Sequence, residues 1–235
     1  MNEDKILELV MQDNPANPLG YVSNIVRPFA LKQMNTYIRE CNDCGICNCI
    51  KTVGFGTNLK NPSILIIGEC PDQKQQELKS ENPFDTVSGT YLLNKLKELE
   101  INPDDIYFIN SVNCYPVKSK ISRPPTVSER TCCKVFIDYL IKVIDPLMVI
   151  TLGSVATNAL NEDIGKQNIL DIRGQSFQYR GIDVFPTINP GLIEEYKTQP
   201  EVYNNEYIEY LELCFNKDLE KAFSFFYNKY ENIEK

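Results

Sequence analysis

The chain contains no histidine and no tryptophan among its 235 residues. The missing histidine removes the commonest general base and the commonest neutral metal ligand, so catalysis must run on carboxylates, amides, thiols or backbone dipoles. No apolar run reaches the roughly 18 residues that a membrane-spanning helix needs, so no membrane association is expected. The first ten residues, MNEDKILELV, are acidic and lack a basic n-region, which argues against a signal peptide. The expected location is the cytoplasm, or a host's cytoplasm or nucleus if the source is viral. Basic residues are in deficit: 24 Lys and Arg stand against 32 Asp and Glu, a net charge of −8. That balance excludes a chain-wide electrostatic grip on nucleic acid and leaves only local basic patches for such a role.

Apolar residues make up 43% of the chain, enough for one core of ordinary size. Cysteine is abundant at nine residues, and Cys41, Cys44, Cys47 and Cys49 crowd into one short segment. In a reducing compartment such spacing points to metal binding rather than disulfides. Zinc held by four cysteines is one reading. A ferredoxin-like run opening at Cys41-x2-Cys44-x2-Cys47 is another, although the closing x3-Cys-Pro is missing.

Along the chain, residues 1–40 have helical spacing on either side of the breaker NPANPLG, and form a helical N-terminal extension. Strands are then expected at 63–69, 106–112, 147–153 and 182–189. Helices are expected at 87–100 and 126–144, where Thr126 or Ser128 caps the N-terminus, with a short one after Gly153. The tail 200–235 is helical and aromatic-rich. This alternation predicts one α/β domain over residues 1–235: a three-layer αβα fold with a central, mostly parallel, four-stranded sheet. Parallel strands end on one edge, so Glu69, Asn110 and Asn189, each at a strand end, are expected to converge on one pocket.

The order of short motifs carries a resemblance. Gly68-Glu69-Cys70-Pro71 is followed by Asn82-Pro83-Phe84 and by Ile109-Asn110-Ser111-Val112-Asn113-Cys114-Tyr115-Pro116. Leu152-Gly153-Ser154-Val155-Ala156, Arg173-Gly174 and Pro186-Thr187-Ile188-Asn189-Pro190 come after them. Over roughly residues 41–196 this order resembles the iron–sulfur (family 4) uracil-DNA glycosylases, whose pattern runs C-x-x-C, G-E-x-P-G, P-F, T-N-x-x-K-C-x-P, L-G-x-x-A, R-G and H-P.

The resemblance implies a [4Fe–4S] cluster held by Cys41, Cys44, Cys114 and a fourth cysteine, for which Cys132 and Cys133 compete. The family's Arg and Pro stand ten and eight residues before its last ligand. Arg123 and Pro125 stand at those distances from Cys133, which favours it. The implied activity is hydrolysis of the N-glycosidic bond of a flipped-out uracil in single- or double-stranded DNA by a monomeric enzyme, leaving an abasic site. Gly68, Glu69, Cys70, Phe84, Asn110 and Asn189 would then line the uracil pocket. Phe84 stacks on the base, Asn110 reads its edge, Glu69 stabilises the sugar cation and orients water, and Asn189 donates to the departing base. Lys118, Lys120 and Arg123 are candidate phosphate contacts, and Leu192 the candidate gap-filling residue.

Four positions depart from the family: Cys70 for Ala, Asp72 for Gly, Asn113 for Lys, and Asn189 for His. The mismatch-specific relatives carry Asn-Pro-Ser where this chain has Asn189-Pro190-Gly191. The competing expectation is a catalytically weak or inactive module that binds DNA or a replication or repair protein. An electron-transfer protein built on the same cluster is a third.

Overall fold

The computed structural model describes residues 24–46, 49–118 and 121–230. The expected helix at ILELV, Cys47 and Lys120 lie outside these residues. Nine α-helices and two sheets occur among them: α1 (Arg27–Glu40), α2 (Gln73–Leu78), α3 (Val87–Glu98), α4 (Val127–Ile144), α5 (Gly153–Leu160), α6 (Glu162–Gly165), α7 (Ile169–Ile172), α8 (Pro190–Lys197) and α9 (Asn205–Tyr230). No described helix is long and apolar enough to cross a membrane.

The strands β1 (Ile64–Gly68), β2 (Ile106–Asn110), β5 (Met148–Leu152), β6 (Phe177–Tyr179) and β7 (Ile182–Thr187) form the main sheet in the order β2-β1-β5-β7-β6. All neighbours are parallel except β6, which runs antiparallel to β7. The sheet thus has one strand more than the sequence suggests. β6 has only three residues, none of them fully buried, so it carries too little apolar patterning to be read as a strand. Its turn uses Arg180 and Gly181, both at positive φ (51° and 83°), the geometry of a tight hairpin. A second hairpin, β3 (Val117–Lys118) with β4 (Ile121–Ser122), stands apart from the main sheet.

Residues alternate in β1 between two separate cores. Leu65 and Ile67 face α1, α4 and α5, whereas Ile64 and Ile66 face α3, α8 and α9. A strand covered on both faces must be apolar at every position, and ILIIG is buried throughout. Thr126 caps α4 through a capping box with Glu129, as its place before a helical run implies. The chain runs from β1 outward to β2 and then crosses to β5 on the other side of β1, so the crevice at the strand C-termini opens between β1 and β5.

Candidate active site

A cavity of about 830 Å³ occupies that crevice. The ends of four parallel strands contribute Gly68, Asn110, Leu152 and Asn189 to its wall, and Glu69, Phe84 and Leu192 line it as well. The convergence expected from the strand ends is therefore present.

Asn189 leaves β7 and caps α8, with Pro190 in the first helical turn. Its Oδ1 accepts from the Gly191 amide at 2.9 Å. That bond decides the orientation of the amide group, and Nδ2 is left to donate to Glu69 Oε2 at 3.3 Å. Gly153, at φ +87°, presses on this residue: a Cβ there would lie 3.0 Å from the Asn189 Cβ. The Glu69 backbone is equally fixed, since its carbonyl accepts from Ser111 Oγ (2.7 Å) and from the Val112 amide (3.0 Å). Burial pushes the Glu69 carboxyl above its ordinary value of 4.5, with the Asn189 hydrogen bond and the positive charge of Arg130 opposing it.

Asn110 is 3% exposed and donates through Nδ2 to Thr52 Oγ1 at 3.0 Å. Gly68 makes room for it, because a Cβ at 68 would come within 2.5 Å of Asn110 Oδ1. Phe84 sits in a polar loop, yet it is 7% exposed and belongs to the core on the α3 side, its ring centroid 4.4 Å from that of Phe108. It serves as core and cavity wall together. Gly89 lets α3 approach, as a Cβ there would stand 1.8 Å from the Phe84 carbonyl oxygen.

One of the departures has a structural reason. Asp72 caps α2 in a capping box with Gln75, a task glycine performs less well. Cys70 is pushed well above the ordinary thiol value by burial and by the charges of Glu69, Asp72 and Glu129, so it is not a poised nucleophile.

Of the candidate DNA contacts, Arg123 and Leu192 both line the cavity. Arg123 pairs with Glu129, with Nη1 2.8 Å from Oε2. That bond holds the Glu129 carboxyl below its usual range. Lys118 belongs to β3. Leu192 lies in the first turns of α8, partly buried against the core.

The cysteines come together from three segments. Cys41 terminates α1, Cys114 pairs with Lys51 in an isolated bridge, and Cys133 is 3% exposed within α4. Burial pushes the Cys133 thiol up to about 12, with nearby Cys44, Cys41 and Cys132 adding to the shift. Cys114 is also raised, by the Cys49 thiol, by burial, and by Cys133 and Cys44. Cys132 instead points at the Asp43 carbonyl, 3.8 Å away. Thiols that burial and one another hold protonated are the kind that a strongly positive multi-iron group would ionise. Among the described residues no three His, Cys, Asp or Glu side chains are grouped to hold a metal ion. Cys41, Cys44, Cys114 and Cys133 offer four thiols, a donor set that suits a four-iron cluster and a zinc ion alike.

Two contributions escaped the sequence reading. Thr52, in the irregular cysteine-rich segment, carried no signal for its contact with Asn110. Arg173 holds Asp218 of α9 (Nε–Oδ2 2.9 Å), and Asp218 accepts from Thr187 Oγ1 at 2.8 Å. A Cβ on Gly174 would come within 2.4 Å of Asp218 Oδ1. Arg173-Gly174 thus anchors the tail helix to the strand end two residues before Asn189.

Comparison with known proteins agrees with this fold. The family model described as the uracil DNA glycosylase superfamily matches residues 55–212. The type-4 uracil-DNA glycosylase of Thermotoga maritima is 28% identical over 189 residues, covering 80% of this chain and 90% of that one. That of Sulfurisphaera tokodaii is 26% identical over 200 residues (82% and 85%), and that of Archaeoglobus fulgidus 23% over 196 residues (80% and 96%).

Proposed function

The chain belongs to the uracil DNA glycosylase superfamily, and from that premise we propose that it hydrolyses the N-glycosidic bond of uracil in DNA, leaving an abasic site. The observation that carries this reading is the meeting of Glu69, Asn110 and Asn189 in one cavity, with the Asn189 amide held donor-inward by its capping bond.

The target nucleotide swings out of the strand, at a cost of a few kcal/mol offset by pocket contacts. Phe84 supplies an aromatic wall, and Asn110 pairs with the uracil edge by accepting from N3–H and donating to O4. As the C1′–N1 bond lengthens, positive charge builds on the sugar and negative charge on the base. The ionised Glu69 stabilises the first and orients the attacking water, taking its proton. Asn189 Nδ2 donates to the second. One such donor is typically worth about 10²–10³ in rate. Asn189 cannot carry positive charge as histidine would, but its amide donor is pre-aimed.

The cluster reading rests on the same family and on the thiol grouping. Cys41, Cys44, Cys114 and Cys133 would hold a [4Fe–4S] group, whose contribution is structural, since hydrolysis needs no electron transfer. Cys114 and Cys133 flank the hairpin and loop that bring Ser122, Arg123 and Pro124 to the cavity. Holding both ends would hold that wall against a DNA strand.

A second reading, a glycosylase-like binding module with little or no turnover, is favoured by the charge of the cavity rim. Asp72 and Glu195 line it, and the rim's Arg123 is engaged by Glu129. An excision assay on single-stranded, U:G and U:A oligonucleotides separates the two. Wild type is expected to produce abasic sites, and Asn110→Ala to lose most of that activity. If wild type yields none while Asn189→His does, the module reading replaces the enzyme.

A further inference from the structure

Base discrimination by an asparagine depends on which way round its amide sits, and the backbone does not decide that. With Oδ1 toward N3 and an N–H toward position 4, the side chain matches uracil, which donates at N3 and accepts at O4. Rotated by half a turn about Cβ–Cγ, the same side chain offers a donor to N3 and an acceptor to the exocyclic amine, and matches cytosine. A glycosylase that read cytosine would damage intact DNA, so something must hold Asn110 in one orientation.

We propose that Thr52 is the positioning residue that fixes the base specificity of this site, by holding the Asn110 amide in its uracil-reading orientation. The inference rests on the uracil reading above and deepens it. Asn110 Nδ2 donates to Thr52 Oγ1 at 3.0 Å in a fully buried contact, across 58 residues of sequence. Thr52 is itself 0% exposed, so no solvent competes for its hydroxyl. Its hydroxyl proton has an acceptor of its own in the Asn113 carbonyl, 3.5 Å away, which turns the lone pairs toward Asn110. The same carbonyl accepts the Thr52 backbone amide at 2.8 Å, tying residue 52 to the loop that follows β2. One N–H of Asn110 is thereby used on the side of Thr52. The other N–H and Oδ1 share the opposite edge of the amide, and the Oδ1 side is kept clear by the absence of a side chain at Gly68. That edge is complementary to uracil.

The test compares wild type with Thr52→Val, which keeps the shape but removes the acceptor, and Thr52→Ser, which keeps the hydroxyl. Affinities for free uracil and free cytosine are measured by titration. The Asn110 side-chain amide is followed by NMR for protection from hydrogen exchange, and excision is followed on uracil-containing oligonucleotides. In Thr52→Val the uracil-to-cytosine affinity ratio should fall by about tenfold, the scale of one net buried hydrogen bond. The excision loss should appear in KM more than in kcat. Protection of the Asn110 amide should vanish, and Thr52→Ser should recover both. A Thr52→Val protein that folds and keeps the wild-type ratio overturns the role of Thr52 alone. A wild type that prefers neither base overturns the uracil reading together with it.

Discussion

Asn189 combines two jobs that one pair of substitutions separates. Its Oδ1 caps α8 and its Nδ2 faces Glu69. Asn189→Ala removes both. Losing the cap costs about 1 kcal/mol, which for a domain of this size lowers Tm by about 2–4 °C. Losing the donor lowers excision by about 10²–10³. Asn189→Asp keeps the cap, because aspartate is as good an N-cap and its charge suits a helix N-terminus. It replaces the donor by a carboxylate about where Nδ2 stood, 3.3 Å from Glu69 Oε2. Two carboxylates that close cannot both ionise, so the pair retains a proton in the folded state. Burial already raises Glu69, and a second carboxylate raises the pair further. The folded pKa then exceeds the unfolded one, so this contribution stabilises at acid pH and is lost as pH rises through the folded value. Asn189→Asp should therefore match wild-type Tm near pH 5, fall below it at pH 8, and lose about 10² or more in single-turnover excision at both. Excision by Asn189→Asp within about threefold of wild type would refute the donor role. So would an Asn189→Ala rate that tracks only the fraction of folded protein.

Three further outcomes follow from the same geometry. Glu69 must be ionised to act, and burial raises its pKa above 4.5, so the acid limb of kcat/KM should lie above that value and vanish, with most of the rate, in Glu69→Gln. Arg173→Ala strands the buried Asp218 without its partner, and urea unfolding should show a loss of about 3 kcal/mol, the lower end for a broken buried pair because Arg173 is partly exposed. Cys133→Ser should abolish the brown colour and visible absorbance of the purified protein, whereas Cys132→Ser, whose thiol points at the Asp43 carbonyl, should retain them; the reverse result would exchange the fourth ligand.

The layered fold was readable because each of its parts leaves a local trace. ILIIG, IYFIN and MVITL are continuous apolar runs because both faces of a parallel sheet are covered. Thr126 sits before a helix because its side chain satisfies a free amide group there. β6 was not readable, since a three-residue edge strand needs little apolar patterning, and neither was the packing of Phe84 on Phe108 in the core, because the sequence neighbours of Phe84 are polar.

By itself, the sequence determined that Glu69, Asn110 and Asn189 would meet, since strands that run parallel must end together. It determined too that any chemistry there would proceed without histidine. What only the tertiary structure decided is the direction in which those groups point. Asn189 is turned donor-inward by the Gly191 amide, Asn110 is held by Thr52 from 58 residues away, and the strand leading to Asn189 is braced by Arg173 and Asp218. An amide group looks the same in sequence whichever way it faces. Its orientation is set by hydrogen-bond partners that chain folding, not chain order, brings beside it.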